Sequence, residues 1–525
     1  MKLLPANEIA TPGALVRRAP DERQAAPAPK PAKREKASRG AAFIRGMEGA
    51  ARRRRHRLAF AGVALFTLLL YLRPNEMFPQ VFGTFPLVKI VGIVMMAAYL
   101  LSRLYWSEKI TILPIELKMA FLIYLLGWLH TPLAVDPASS IATLTDTYLK
   151  VVLVFMLMIN LLGDRQRLLL IMKLIVICGS VLAIGAIRDY ATGNMAMMGI
   201  RIEGMVGGIF GNPNDLATSL DMIIPLAVIL VMTQGGIWRF ICLVSIPVMA
   251  LGVVLTFSRG GFLGMMLGSG VILWKLGEKN RARTIILSLL AVGVLALAIP
   301  SSYSNRLSTI VDNNKDKTGS ANERKEVMYR ALNIAVHRPV IGVGMSNFPR
   351  YSIHEMVAHN SYFEIAAELG LAGLIFYLIM IIAPLRSCQR IEQQTKPAGD
   401  PEGKVDRSPA GLRRRELYLL SVALQATLYV YLLCSFFASI QYLWFVYYPV
   451  AYVVGLRTIK EIEESQEVEA GATNSPVQAP ETRLGSGLRS GALWKSRRSR
   501  QKINGTEISE PQSPARKLGR LFARR

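Results

Sequence analysis

The chain has 525 residues, of which 52% are hydrophobic, and carries a formal net charge of +26 from 62 Lys and Arg against 36 Asp and Glu. A chain this apolar and this basic must segregate the two along its length, which excludes an evenly mixed soluble domain. Its four cysteines, Cys178, Cys242, Cys388 and Cys434, lie in or beside apolar runs, where cysteine acts as a small apolar residue, and they exclude a four-ligand metal spacing.

Residues 1–57 are rich in Pro, Ala, Lys and Arg and end in Arg52-Arg53-Arg54-Arg55-His56-Arg57, with no apolar run before Leu58. The segment reads as a disordered basic tail rather than a cleavable signal peptide, and its basic end fixes the N-terminus in the cytoplasm. Apolar stretches of roughly 17 to 25 residues, the length a bilayer imposes, then follow near 58–73, 84–104, 112–131, 144–162, 166–188, 214–233, 237–256, 260–276, 283–300, 361–385, 416–437 and 442–457. The sequence therefore predicts an all-α polytopic membrane protein with about twelve transmembrane helices over 58–457. Beyond it, 458–525 reads as a second disordered basic tail, returned to the cytoplasm by the even number of spans.

Short connections agree with this orientation. Arg103 and Lys109, Arg165 and Arg167, Arg239, Lys275 to Arg283, and the Arg386 to Arg415 segment fall on the cytoplasmic side, whereas the loops at 132–143 and 438–441 contain no Lys or Arg. The long loop 301–360, placed outside and before the tenth span, carries Arg306, Lys315, Lys317, Arg324, Lys325, Arg330, Arg338 and Arg350. Loops of that length are weak topology signals, so its cations need another cause.

Three places on the outer side gather groups that are costly at membrane depth. The first runs from Arg201-Ile202-Glu203-Gly204 to Gly211-Asn212-Pro213-Asn214-Asp215. Asn-Pro supplies a helix cap and a first-turn proline, and the N–H groups of the sixth span would face an anion; a capped span entry after a glycine-rich loop explains the residues equally. The second, Thr256-Phe257-Ser258-Arg259-Gly260-Gly261, is a turn too tight for a loop. Gly260, Gly264 and Gly268 form a small-residue face that would pack this helix on a neighbour and set Arg259 over the bundle interior rather than snorkelling into lipid.

The third is the long loop and its exit helix. Asn322 to Val336 has helix-forming composition, stopped by His337-Arg338-Pro339 and Gly342-Val343-Gly344. Its arginines suit a pyrophosphate, which guanidinium forks bind bidentately, while Lys315, Lys317 and Lys325 read as a solvated charged face. His359 then stands at a helix N-terminus near arginines, where a positive field keeps imidazole neutral and able to accept a proton. Asn360, Glu364 and Glu368 follow at i+4 spacings on one helix face, placed to orient the histidine or to line a polar cavity.

Other chemistries find no support. His354-Glu355-Met356-Val357-Ala358-His359 has one residue too many for a zinc-protease helix, and no Asp-x-Asp pair or phosphate-binding Gly-x-x-x-x-Gly-Lys is present. No metal and no cofactor is implied. Without interleaved aromatics, the basic tails read as attracted to anionic lipids and not to nucleic acid.

At these residues the chain resembles the O-antigen ligase and polymerase superfamily of bacterial envelope glycosyltransferases. The resemblance rests on Gly211-Asn212-Pro213-Asn214-Asp215-Leu216-Ala217, Thr256-Phe257-Ser258-Arg259-Gly260, the stretch Arg324 to Met345, and His359-Asn360-Ser361-Tyr362 through Glu368-Leu369-Gly370, in that order and with the large loop before the histidine. It implies a metal-independent, GT-C-like fold in the bacterial inner membrane with its active site in the periplasm. The implied donor is an undecaprenyl-pyrophosphate-linked glycan. A ligase would move the glycan to lipid A-core, and a polymerase to a second lipid-linked unit. His359 would take the acceptor proton; Arg259 and Arg324, with Arg201 third, would stabilise the departing pyrophosphate, Arg306 and Arg330 being alternatives to Arg324. Asn212, Asn214, Asn360, Glu364 and Glu368 complete the expected substrate contacts. A lipid-linked glycan flippase would share the span count but would spread its charges through the membrane and often carry an internal repeat. Here the charged candidates gather at one face.

Overall fold

In lipid a backbone polar group finds no water, so an apolar span must bond its own N–H and C=O groups as a helix. A computed structural model describes residues 55–83, 85–194, 202, 206–207, 210–277, 320–397 and 406–474, and among them it contains helices and no strand. In chain order the main helices are α1 (Arg57–Leu72), α2 (Leu87–Tyr105), α3 (Ile115–His130), α4 (Pro137–Leu161, with a π turn at Thr143–Tyr148), α5 (Arg165–Ala191), α6 (Pro213–Thr233), α7 (Gly236–Leu255), α8 (Arg259–Leu276), α9 (Ser320–His337), α10 (Ser361–Thr395), α11 (Pro409–Cys434) and α12 (Trp444–Asn474).

Among the described residues eight helical stretches are long and apolar enough to cross a membrane: Arg57–Met77, which contains α1, and α2, α4, α5, α6, α7, α10 and α11. Helices α3, α8 and α12 occupy three more of the expected spans. The expected span 283–300, the first part of the long loop, residues 1–54 and 475–525 of the expected tails, Arg201 and Arg306 lie outside the described residues. Residues 458–474, expected as the start of a disordered tail, instead continue α12 as helix, where Lys460 and Glu464 pair at i,i+4.

Several boundaries differ from the apolar pattern because caps, not hydropathy, set helix ends. The fourth helix starts at Pro137 rather than 144, since the Asp136 side chain accepts from Ser139 N at 3.1 Å and Pro137 suits the first turn. The eleventh starts at Pro409 rather than 416 for the same reason, with the Ser408 hydroxyl accepting from Gly411 N at 3.0 Å.

Helices α6 and α11 form the centre: 78% of the apolar stretch of each is buried, against 11% for α2. They pack on each other. Around them α6 meets α5, α7 and α8, α11 meets α8 and α10, and α10 meets α3 and α9. The glycines of α8 permit the close approach. A Cβ on Gly261 would stand 2.5 Å from the Ala217 Cβ of α6, and one on Gly264 or Gly268 would stand 2.6 or 2.7 Å from Cys434 or Val430 of α11. Gly260 instead faces Phe437.

Helix α10 is broken at Gly370, whose φ of 68° and ψ of −171° leave the helical region. The break frees carbonyls that the Pro339–Gly344 turn uses: Val343 N donates to Ala367 O and Gly344 N to Glu368 O, each at 2.9 Å, while Leu371 N donates back to Pro339 O at 2.7 Å. Both Gly342 and Gly370 have φ of 68°, and a Cβ on either would lie 2.5 Å from a carbonyl oxygen across this seam. The loop after α9 is thereby stitched to the discontinuity in α10.

Candidate active site

His359 sits at the mouth of α10. The Asn360 side-chain oxygen accepts from Tyr362 N and Phe363 N, both at 3.0 Å, and caps the helix. Immediately before that cap, His359 adopts left-handed backbone at φ 51°, which costs a non-glycine residue about 1–3 kcal/mol and persists only where neighbours fix it. They do so on both sides. Ala358 N donates to Glu364 Oε2 at 2.7 Å, and Ser361 N donates to Ser435 O at 2.9 Å. The Ser361 hydroxyl donates to Ala438 O at 2.7 Å and accepts from Ile440 N at 2.9 Å.

The His359 imidazole is half-buried, and its pKa is pushed down to about 4, by burial first and by the Arg324 charge second. The ring is therefore neutral near pH 7, with burial rather than the helix field as the main cause. Arg324 lies on the face of α9 that carries the buried Val327, Ala331 and Ala335. That face packs on Phe348 and Ala358 of the following loop and on Ala367 of α10. Arg330 lies on another face, paired with Glu326 at 3.2 Å and exposed. Helix α9 thus directs one of the two arginines toward the histidine.

Glu364 and Glu368, 5% and 0% exposed, are bound by protein groups. Glu364 accepts from Ala358 N, from Gln441 Nε2 at 3.0 Å and from the Ser439 hydroxyl. Glu368 accepts from Phe348 N at 3.2 Å and from the Tyr442 hydroxyl at 2.9 Å. The two carboxylates join the 339–360 loop to the 435–442 segment. Ser435, Ser439, Gln441 and Tyr442, like Asn347, which bonds Asp136 N and the Ser140 hydroxyl, were not among the residues the sequence pointed to. Their signal was faint. The Ser439-Ile440-Gln441-Tyr442 run showed only as a short polar break without basic residues.

The other two motifs reach the same end of the bundle. The Asn212 side chain accepts from Asn214 N at 2.9 Å, so it caps α6; Asn214 Oδ1 accepts from the Ser258 hydroxyl, also at 2.9 Å. Ser258 in turn caps α8, accepting from Gly261 N at 3.1 Å, so Arg259 occupies the first position of that helix. Cys434 and Phe437 abut Gly260 on one side, while Ser435 and Ala438 hold Ser361 on the other. Arg259 and His359 therefore flank one turn, 434–438, at the N-termini of α8 and α10. Among the described residues no group of three His, Cys, Asp or Glu side chains could hold a metal ion. A neutral imidazole with the Arg324 charge acting on it can accept a proton, and Arg259 stands at the N-terminus of α8 across the 434–438 turn.

The O-antigen ligase family matches residues 223–378, from inside α6 to the middle of α10. That segment contains Arg259, Arg324, Arg330, His359, Asn360, Glu364 and Glu368 and leaves Asn212 and Asn214 just upstream. Among curated proteins no relative matches the chain.

Proposed function

We propose that this chain, a member of the O-antigen ligase superfamily, is a GT-C-like glycosyltransferase that moves a glycan from an undecaprenyl-pyrophosphate carrier to an acceptor hydroxyl, and that its acceptor is lipid A-core. The observation that carries the reading is His359, neutral and half-buried beside the Arg324 charge, within the segment the family matches. As the acceptor oxygen bonds to the anomeric carbon, its proton passes to the imidazole, while the bond from that carbon to the carrier's terminal phosphate oxygen breaks with inversion and the carrier departs with its pyrophosphate. Arg259 and Arg324 stabilise the charge that builds on the leaving oxygens, with Arg201 as a third cation. Arg324 is preferred to Arg330 because the latter is turned outward to Glu326. Arg103, Arg165, Arg167, Lys275 and Arg457 lie at the opposite end of the bundle, which favours an inner-membrane orientation with the site periplasmic and both termini cytoplasmic.

The test is a deletion strain complemented with wild type or His359→Ala, its envelope glycolipids resolved by gel with carrier-linked and core-linked glycan probed separately. A ligase leaves the core bare while long chains accumulate on the carrier. A core carrying single repeat units identifies a polymerase instead. His359→Ala is expected to reproduce the deletion, with a rate loss of about 10²- to 10⁴-fold. Wild-type glycolipid from that variant sinks the proposed chemistry.

A further inference from the structure

We infer that Glu364 is the positioning residue of His359, and that it acts by fastening the 435–442 segment to the loop that carries the histidine. The inference rests on the reading of His359 as the proton acceptor. Its warrant is the convergence of three donors on one buried carboxylate. Ala358 N, at 2.7 Å, belongs to the residue that precedes the histidine; the Gln441 amide, at 3.0 Å, and the Ser439 hydroxyl belong to the segment between α11 and α12. Between the Ala358 tie and the Asn360 cap, His359 has one residue of backbone, and that residue is held at φ 51°. A conformation this unfavourable relaxes when one tie is released, and the imidazole would move with it.

Glu364 is not itself placed to touch a reacting group, because its known bonds occupy both carboxylate oxygens with protein donors. Its neighbour Glu368 stabilises the same region but bonds Tyr442 and Phe348 N, the latter eleven residues before the histidine rather than one. The i+4 spacing places Glu364 to orient the histidine or to line a polar cavity. In the structure the action is through the backbone, and the carboxylate reaches a third segment that the spacing could not show.

The test uses the full-length protein in lipid vesicles with carrier-linked glycan and acceptor, comparing wild type, Glu364→Ala, Ser439→Ala, His359→Ala and the double variant Glu364→Ala/His359→Ala. Rates are normalised to folded protein from a thermal melt. Glu364→Ala is expected to lower kcat about 100-fold, the effect of a misplaced reacting group, with KM for the donor within about threefold. Ser439→Ala, which removes one donor and keeps the carboxylate bonded, should show the same kcat-only pattern at about 10-fold or less. A residue that acts only through His359 adds no further loss in the His359→Ala background, whereas a merely structural residue lowers the residual rate again. The inference fails if Glu364→Ala keeps wild-type kcat, if its loss only follows the folded fraction, or if its effect persists in the double variant. Wild-type activity in His359→Ala would instead overturn the reading beneath it.

Discussion

Two sets of carboxylates, one at each end of the bundle, are held differently. At the end opposite the site, acids meet basic side chains from other helices. Glu116, fully buried in α3, receives Arg457 of α12 at 3.0 and 3.3 Å; Glu392 of α10 receives Lys275 of α8 at 2.6 Å; Glu416 of α11 receives Arg165 of α5 at 2.6 Å. At the site end Glu364 and Glu368 are held by backbone N–H groups, hydroxyls and an amide. Ion pairs at the first end neutralise charge and fix helices to each other. Neutral donors at the second fix loops without bringing an opposite charge to the acids. On the proposed function, the first set locks helices to each other and the second holds the loop that carries His359.

The largest expected effect on stability lies at the locking end. Arg457→Met leaves Glu116 buried without its partner, and breaking such a pair costs about 3–5 kcal/mol. Replacing both residues, as Glu116→Leu with Arg457→Met, should recover most of that loss. Thermal melts in detergent decide it. A double variant as unstable as the single one would show that the pair is not what binds α3 to α12, and the contrast between the two ends would lose its clearest member.

Next comes the seam that stitches the loop to α10. Gly370→Ala places a Cβ 2.5 Å from Pro339 O at a φ of 68°, and a loss of about 2–3 kcal/mol is expected from strain and clash together. Gly270→Ala, where a Cβ would meet nothing within 4 Å, is the control and should change stability by no more than about 1 kcal/mol. Equal melting shifts for the two would mean that the break at Gly370 is not required by the fold.

A smaller effect concerns pH. With its pKa near 4, His359 stays neutral well below the pH at which an ordinary histidine charges, so kcat should hold to about pH 5 and fall as pH drops through about 4. The Arg324 charge opposes the imidazolium. Arg324→Met should therefore raise the half-maximal pH, though burial, the larger cause, keeps it below about 6.5. A pH–rate profile of the variant gives the answer. An unmoved acid limb would separate Arg324 from the histidine and reopen the choice among the loop arginines.

The apolar runs and the Arg and Lys asymmetry were legible because the bilayer imposes span length and helical backbone. His359, Arg259 and Arg324 could be singled out because cations and an imidazole are conspicuous beside apolar helices. The caps that move α4 and α11 outward by about two turns were written in Asp136-Pro137 and Ser408-Pro409, but hydropathy outweighed them in locating the spans. The break at Gly370 was hidden, since its cause is Gly342 and its neighbours across a seam nearly thirty residues away in sequence, about eight helical turns' worth. Glu364 and Glu368 were visible as one face of α10. Their partners were not, because Ser439, Gln441 and Tyr442 approach only once α11 and α12 have folded against it.

Arg330 gives the smallest expected effect and the sharpest check on which face of α9 serves the site. Arg324 and Arg330 are equivalent in sequence, two arginines on one cationic helix, and only the structure separates them. Six residues apart, they project on different faces. The Arg330–Glu326 pair is exposed, and such i,i+4 pairs contribute about 0.3–0.5 kcal/mol. Arg330→Ala should therefore leave stability within about 0.5 kcal/mol and the transfer rate within about twofold of wild type. If Arg330→Ala instead raises KM for the carrier-linked donor while Arg324→Met does not, the pyrophosphate approaches from the outer face of α9. The cations that matter would then be those the structure turns away from the histidine.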